Sequence, residues 1–146
     1  MSMSRLQLEG AARTAARAHG LEEALVCVIC EHESDNWKQY AVRYEPAFYD
    51  RYVKDIKLSQ TEKTMRATSF GLMQVMGQVA REFGFEGQFL TELLDPVFGL
   101  EYACRKLEQC MDRANSDVRT ALLFYNGGGD PKYPDKVLRH LEKYKP

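Results

Sequence analysis

The stretch from Leu21 to Ser34 constrains the fold more than any other part of the sequence. Its centre is the apolar run Ala-Leu-Val-Cys-Val-Ile-Cys at positions 24–30. On a helix of about 3.6 residues per turn, this run covers much of the circumference, whereas a surface helix has one apolar stripe. Other elements must surround such a helix to keep it from water. We therefore predict a helix over 21–34 in the middle of a small domain.

Most of the remaining chain has the apolar spacing of helices, interrupted by residue types that commonly end them. A first helix is predicted over 5–18, with Gly20 after it as a C-terminal cap. Asp95-Pro96, Asn115-Ser116 and the three glycines at 127–129 separate the later apolar segments. The later helices are predicted near 76–83, 89–94, 97–114, 117–125 and 134–144.

The sequence predicts the secondary structure of residues 36–68 least clearly. Positions 40–46 have the composition of an extended segment, whereas Phe48 and Tyr52 recur at helical spacing. We predict a short strand or loop followed by a short helix. At this length roughly 70% of the unfolded surface can be buried. The chain is thus predicted to be mainly α, a single domain over 1–146 with a short irregular or β lobe.

Charge and hydropathy exclude two classes of partner. Twenty Lys and Arg stand against 21 Asp and Glu, a net charge of -1, which gives no global basic field for nucleic acid. No run approaches the roughly 18 apolar residues of a membrane span. The first ten residues have neither the apolar region nor the cleavage site of a secretory signal. We expect cytoplasmic synthesis without a signal peptide, no nucleic-acid partner and no integral membrane segment.

The four cysteines could indicate a metal site or buried thiols. Cys27 and Cys30 have C-x-x-C spacing, but they lie inside the apolar run of the predicted central helix. Cys104 and Cys110 are six residues apart, unlike the ligand pairs of zinc sites. We interpret all four as buried thiols that pack as small apolar side chains. No metal site and no cofactor are predicted.

Helical geometry separates two acids near the end of the central helix. At about 100° per residue, Glu33 falls within about 40° of Val26 and Ile29, whereas Glu31 lies about 160° away. The two carboxyl groups cannot share one cleft. A carboxyl group at the end of an apolar stripe loses hydration, which favours its neutral, proton-donating form. From this stretch alone, however, a solvated last turn of the helix is the more common use of such a residue.

Three separated fragments occur in the order of a known signature. They are Glu33-Ser34, the run Ser-Phe-Gly-Leu-Met-Gln over 69–74, and Tyr125-Asn126-Gly127, with Tyr133 downstream. Together they resemble the signature of the lytic transglycosylase family related to goose-type lysozyme. The resemblance implies a lysozyme-like fold and an enzyme that acts on the glycan strands of peptidoglycan.

The resemblance implies that Glu33 is the single catalytic glutamate, because that residue directly precedes a serine in the family. Glu31 does not match this position. Glu33 is then expected to protonate the oxygen between N-acetylmuramic acid and N-acetylglucosamine and to take the proton of the C6 hydroxyl, which leaves a 1,6-anhydro end. Hydrolysing glycosidases generally need a second carboxylate. No second acid of this sequence matches one.

The same resemblance implies a set of substrate-binding residues. In the glycan-lining segment, Gly71 lets the backbone approach the sugar while the side chains of Met73 and Gln74 face it. Asn126 matches an asparagine near the reacting sugar, and Tyr133 matches a tyrosine that donates a hydrogen bond to the catalytic glutamate. The implied substrate-binding residues are Ser69, Gly71, Met73, Gln74, Tyr125, Asn126 and Tyr133.

The chain also departs from the family pattern. Gly77 follows Met76 where the family commonly has proline, and Gly127 stands where it usually has alanine. Residues 35–68 form a longer insert than in many relatives. Its aromatic side chains are expected to pack into the core in preference to walling the cleft. They are Tyr40, Tyr44, Phe48, Tyr49 and Tyr52.

Two other functions stay open at this point. A lysozyme of the same fold would hydrolyse the same bond, with Asp35, Glu45 or Asp50 positioning a water molecule. A non-catalytic glycan-binding module, such as a structural part of a virion, would keep the cleft without cleaving the glycan. An enzyme that acts in the periplasm or cell wall but has no signal peptide fits a phage origin, for example as an endolysin, or export by a specialised secretion system.

Overall fold

A computed structural model describes residues 1–146, and most of them are helical. The α-helices are α1 (Arg5–Ala18), α2 (Glu23–Glu33), α3 (Pro46–Phe48), α4 (Gln60–Arg66), α5 (Gly77–Glu82), α6 (Pro96–Arg113), α7 (Val118–Asn126) and α8 (Tyr133–Leu138). The strands are β1 (Val42–Tyr44), β2 (Thr68–Phe70) and β3 (Val75–Met76). A π-helical turn at Tyr49–Val53 continues α3, and 3-10 turns lie at Leu90–Leu94 and Leu141–Tyr144. The predicted mainly α, lysozyme-like class with a short β lobe is confirmed. None of the helices combines the length and the apolar character needed to cross a membrane.

The α2 helix has the central position that its apolar run predicts. All seven side chains of residues 24–30 are buried. They belong to one hydrophobic cluster of 31 buried residues, to which α1, α6, α7 and α8 also contribute. The observed helix, Glu23–Glu33, is slightly shorter at both ends than the predicted 21–34. Its C-terminal residue is therefore Glu33, at the point where the buried helix reaches the surface.

The chain leaves α2 through a strained turn. Asp35, Asn36 and Trp37 have φ angles of 52°, 70° and 68°, in the left-handed region that costs non-glycine residues roughly 1 kcal/mol or more each. Trp37 is buried, and its indole N–H donates to the hydroxyl of Tyr144 at 2.9 Å. Arg5 donates to the same hydroxyl at 3.0 Å. The C-terminal 3-10 turn thus holds the turn after α2 and the start of α1 together.

The β lobe is a three-stranded antiparallel sheet in the order β1-β2-β3. Ser69 of β2 is paired with Arg43 of β1 on one side and with Met76 of β3 on the other. The predicted short strand and short helix of residues 36–68 are present as β1 and α3, and α4 is an additional helix. The sheet therefore brings the long insert beside the segment that begins at Ser69.

The insert's aromatic side chains do not follow the expected packing into the core. Tyr40, Tyr44 and Tyr52 are 50%, 45% and 53% exposed. Phe48 and Tyr49 are half-buried, and Phe48 packs on Tyr52 with ring centres 4.9 Å apart. The prediction was wrong for these residues because the core is already filled by the helices, and the insert lies outside it.

Helices α6, α7 and α8 form the wall opposite the sheet. The Asp95 side chain caps α6, and the Asp117 side chain caps α7. Gly127 ends α7 with a φ of 81°, the left-handed C-cap that a glycine adopts without strain. The prediction of a single helix over 134–144 is wrong, since α8 ends at Leu138 and a separate 3-10 turn follows.

Candidate active site

A cleft of about 490 Å³ lies between the β lobe and the α6–α7 wall. Five of the residues matched to the family signature line it: Glu33, Ser69, Gln74, Tyr125 and Asn126. Glu45, considered as a second acid, and Phe48, considered as a cleft wall, also line it. The lining residues that the sequence did not indicate are Arg43, Met76, Lys106, Gly129 and Asp130. The end of the buried helix, the central strand and the end of α7 therefore meet at one surface.

Glu33 is held by a single strong hydrogen bond. The hydroxyl of Tyr133, at the start of α8, donates to Glu33 Oε2 at 2.6 Å. Burial raises the pKa of Tyr133, and the charge of Glu33 raises it further, so the hydroxyl keeps its proton and stays a donor. Tyr133 is 3% exposed, and its ring meets that of His32 edge-on at 5.4 Å. This contact orients the carboxyl group and leaves Glu33 Oε1 without a hydrogen-bond donor from the protein.

Glu31 has a different environment on the other side of α2, in agreement with the helical geometry. Lys143 Nζ lies 2.5 Å from Glu31 Oε1, and the Tyr144 hydroxyl donates to the same oxygen at 2.6 Å. Burial acts to raise the pKa of Glu31, but these two partners outweigh it and lower the pKa. Glu31 is therefore an ionised acid that holds the C-terminal turn.

Gln74 presents a hydrogen-bond acceptor to the cleft. Its side-chain nitrogen donates to the carbonyl oxygens of Ala41 at 3.0 Å and Gly71 at 2.9 Å. Because carbonyl oxygens only accept, these two bonds fix which end of the amide is nitrogen. Its amide oxygen has no donor from the protein. Ser69 beside it makes only a weak contact, from Oγ to Met76 Sδ at 3.8 Å.

Two predicted residues support the cleft from behind. Gly71 is buried with a φ of 76°, and a Cβ there would lie 3.2 Å from the carbonyl oxygen of Leu93. The Met73 side chain is 2% exposed and has its Sδ 4.0 Å from Cys104 Sγ. The expectation that Gly71 meets the sugar and that the Met73 side chain faces it is therefore corrected: the turn between β2 and β3 directs both into the core.

Tyr125 and Asn126 divide the roles at the end of α7. The Tyr125 ring is buried, and its hydroxyl donates to the carbonyl oxygen of Met73 at 2.7 Å, which ties α7 to the turn between β2 and β3. The side-chain amide of Asn126 has no hydrogen-bond partner within the protein and lines the cleft. Asn126 is therefore the residue of this pair that can both donate to a ligand and accept from it.

Close packing against α4 leaves no room for a side chain at Gly77. A Cβ there would lie 2.4 Å from the carbonyl oxygen of Met65 and 3.1 Å from Arg66 Cα, both backbone atoms around α4. A proline, which the family commonly has after the methionine, cannot fit without moving α4. Gly77 therefore lets the insert pack closely against the start of α5.

Lys106 is the main residue that sequence reasoning missed. Its Nζ donates to the carbonyl oxygen of Tyr125 at 2.9 Å and lies 4.2 Å from the centre of the Tyr125 ring. Burial lowers the pKa of Lys106. A signal was present in the sequence, because the buried residues Ala103 and Cys110 place position 106 on the apolar face of α6.

Other carboxylates of the cleft already have cationic partners. Glu45 Oε1 lies 3.0 Å from the Nε of Arg43. Asp130 Oδ2 lies 2.7 Å from Lys136 Nζ. Asp35 and Asp50 are exposed and do not belong to the lining. No group of three or more His, Cys, Asp or Glu side chains is placed to hold a metal ion.

A buried helix that ends in one glutamate, at a cleft facing a small antiparallel sheet, is the arrangement of a lysozyme-like domain. A family model described as the transglycosylase SLT domain matches residues 10–138. The chain therefore belongs to the transglycosylase SLT domain family, and the resemblance seen in the sequence is confirmed. The family's activity is lytic transglycosylase cleavage of peptidoglycan, in the cell wall or periplasm. No curated protein and no solved structure matches the chain significantly.

Proposed function

We propose that this protein cleaves the β-1,4 bond between N-acetylmuramic acid and N-acetylglucosamine of peptidoglycan, with Glu33 as the single general acid and base. The observation that carries the proposal is the contact between Tyr133 and Glu33, at 2.6 Å in the cleft. It orients one carboxyl oxygen and leaves the other available to the substrate. The carboxylates of Glu45 and Asp130, in contrast, are engaged with basic side chains.

The proposed reaction consumes no water. Neutral Glu33 gives its proton to the glycosidic oxygen, the bond from C1 to that oxygen breaks, and N-acetylglucosamine leaves with a free 4-hydroxyl. The carbonyl oxygen of the substrate's own N-acetyl group stabilises the positive C1. The Glu33 carboxylate then takes the proton of the C6 hydroxyl, and O6 bonds to C1. The product is a 1,6-anhydro end, and Glu33 regains its proton.

Three lining residues are suited to hold the glycan for this reaction. The Gln74 amide oxygen can accept from a sugar hydroxyl or N-acetyl N–H, because its nitrogen is already committed to two carbonyl groups. The Asn126 amide is unengaged and can bind the N-acetyl group of the reacting sugar. Ser69 offers its hydroxyl from the central strand, while Tyr125 keeps α7 and the β2–β3 turn in register.

We propose that the chain acts as one domain over 1–146. The supporting observation is that one hydrophobic cluster contains Leu8 near one end and Tyr144 near the other. Peptidoglycan as the substrate puts the site of action in the periplasm or cell wall.

A hydrolytic lysozyme is the second candidate, and one observation keeps it open. Glu45 lines the cleft together with Glu33, so it could position a water molecule for attack at C1. Its ion pair with Arg43, a residue with 75% exposure of its side chain, is open to solvent. Asp35 and Asp50, the other acids considered for this role, do not line the cleft.

Product analysis on purified sacculi separates these candidates. We expect mass spectrometry to find 1,6-anhydro ends with the native enzyme and with Glu45→Gln, and at least about a 100-fold loss of release with Glu33→Gln, since general acid catalysis contributes roughly 10²- to 10⁴-fold. Free reducing ends that disappear with Glu45→Gln indicate a lysozyme. Equal sedimentation of native protein and Glu33→Gln with sacculi, without release by either, indicates a non-catalytic module.

A further inference from the structure

Lys106 occupies an unusual position for a lysine. It lies on the apolar face of α6, flanked by the buried residues Ala103, Leu107 and Cys110, and its ammonium group reaches the cleft that contains Glu33. Burying an ammonium group is costly unless it is compensated. The compensation here is one hydrogen bond to the Tyr125 carbonyl oxygen and a contact with the Tyr125 ring.

The charge of Lys106 has no counter-ion within ion-pairing distance. Arg43 and Lys106 are the two basic side chains of the cleft lining, and Arg43 is paired with Glu45 at 3.0 Å. Lys106 has no carboxylate within 4.0 Å. Glu33 and Lys106 nevertheless line the same cleft, and Glu33 Oε1 has no hydrogen-bond donor from the protein. Opposite charges within one cleft attract each other, so the ammonium group is placed to stabilise a negative charge that forms on Glu33.

The proposed reaction changes the charge of Glu33 twice. In the first step the neutral carboxyl becomes a carboxylate as it gives up its proton, and in the second step it regains one. A fixed positive charge in a site of low dielectric stabilises the carboxylate and costs no reorganisation when it forms. Only groups that favour the transition state over the ground state accelerate the reaction.

We propose that Lys106 is a positioning residue of this active site, whose ammonium group stabilises the carboxylate that Glu33 becomes and anchors the end of α7 that carries Asn126. The inference rests on the proposed function. The anchoring is direct, because the Tyr125 carbonyl is one of the last four of α7, which have no partner within the helix. The residue after it is Asn126.

The pH dependence of this effect distinguishes it from a structural role. Below the pH at which Glu33 ionises, the resting acid is neutral, and loss of the ammonium charge penalises only the transition state. Above that pH Glu33 is a carboxylate in the resting enzyme as well. Loss of the ammonium charge then destabilises the resting state as much as the transition state, so the barrier stays nearly the same. Loss of the charge should therefore lower the rate most at acid pH, leave the rate on the alkaline limb nearly unchanged, and move the start of that limb to higher pH.

Other charged or titratable groups around Glu33 do not mimic this behaviour. From α8, Tyr133 keeps its proton, because burial and Glu33 raise its pKa. From β1 and its end, Arg43 and Glu45 neutralise each other, and Asp130 in the loop after α7 is paired with Lys136. Burial likewise raises the pKa of Tyr125 on α7 and of the thiols of Cys30 on α2 and Cys110 on α6, so these groups stay neutral.

The test compares kcat/KM across pH for three variants, with release of anhydro ends from soluble glycan strands as the measurement. Lys106→Gln removes the charge and keeps an N–H donor, whereas Lys106→Arg keeps both. Lys132→Gln removes the charge of an exposed lysine outside the lining and is the matched control. Thermal unfolding of each variant establishes that the proteins compared are folded.

For Lys106→Gln we expect about a tenfold lower kcat/KM at acid pH, equivalent to about 1.4 kcal/mol. The deficit should shrink as pH rises, and Lys106→Arg should stay within about threefold of the native enzyme. A loss by the same factor at every pH, or no loss, overturns the proposal. If the native enzyme releases no anhydro ends at all, the proposed function itself is wrong. That outcome is measured on the native enzyme alone and needs no Lys106 variant.

Discussion

Tyr133 and Tyr144 each donate a 2.6 Å hydrogen bond to a glutamate of α2. Both tyrosines are buried. Their partners, Glu33 and Glu31, are two residues apart and lie on opposite sides of the helix. Glu33 of one pair lines the cleft, and the other pair fastens the C-terminal turn. The same local chemistry thus has two uses that depend only on the side of α2 on which it occurs.

Removing the hydroxyl of Tyr133 should impair catalysis more than folding. A hydrogen bond to a charged group contributes about 1.5–3 kcal/mol, which corresponds to roughly a 10- to 100-fold lower kcat/KM for Tyr133→Phe. The free energy of unfolding should change less, because the ring that packs in the core is retained. Steady-state kinetics and chemical denaturation measure the two effects.

Tyr144→Phe is the matched control for that substitution. It removes the same group from an equally short bond, and it also leaves the indole N–H of Trp37 without its acceptor. We expect a lower free energy of unfolding, by about 1–3 kcal/mol, and an unchanged kcat/KM. A loss of activity with Tyr144→Phe as large as that with Tyr133→Phe would contradict a specific role for Tyr133.

At the scale of elements, His19 joins the end of α1 to α6. Its Nδ1 lies 2.8 Å from Glu108 and its Nε2 lies 2.8 Å from Glu101. Partial burial acts to lower the pKa of His19, but hydrogen bonds to both glutamates outweigh it and the pKa is raised. The charged imidazole therefore stabilises the folded state.

The contribution of His19 to stability should depend on pH in one direction. Because the pKa is higher in the folded state, the stabilisation is complete below the unfolded value of about 6.5 and is lost as pH rises through the folded value. We expect the difference in free energy of unfolding between the native protein and His19→Gln to be largest near pH 5 and smallest near pH 9. Urea titrations across this range measure it, and a difference independent of pH would contradict the proposed charge state.

Helices whose pattern is local were predictable from the sequence, and segments ordered by distant contacts were less so. Helix α1 was predicted at its observed bounds from its apolar spacing and from Gly20 after its end, and the structure adds a capping box between Ser4 and Gln7. The break after Leu138 was not predicted. The 3-10 turn that follows is held by contacts of Tyr144 with Trp37 and Glu31, far away in sequence.

At the scale of the whole molecule, the reactivity of the cysteines reports how completely the core is closed to solvent. All four are free and buried. Desolvation raises the pKa of Cys27 to about 11 and that of Cys104 to about 12. The thiolate, which is the reactive form, is therefore scarce at neutral pH. The apolar context that favoured buried thiols in the sequence agrees with this environment.

We expect all four thiols to be unreactive toward a disulfide reagent at neutral pH in the native protein. All four should react within minutes in denaturant, because unfolding exposes them and restores an ordinary thiol pKa. Absorbance of the released chromophore counts the reacting groups. Rapid reaction of any thiol without denaturant, or a fall in melting temperature with a metal chelator, would show that the buried arrangement is wrong.

The sequence by itself determined the central helix, the helical class and the separation of Glu33 from Glu31, because helical periodicity is a local property. The tertiary structure decided which side of each turn faces the cleft. It directs Met73 into the core, leaves the insert aromatic residues outside it, and brings Lys106 into the same cleft as Glu33 from a distant helix. These outcomes depend on packing between elements that are far apart in the chain, and such packing produces no local pattern in the sequence from which it could be predicted.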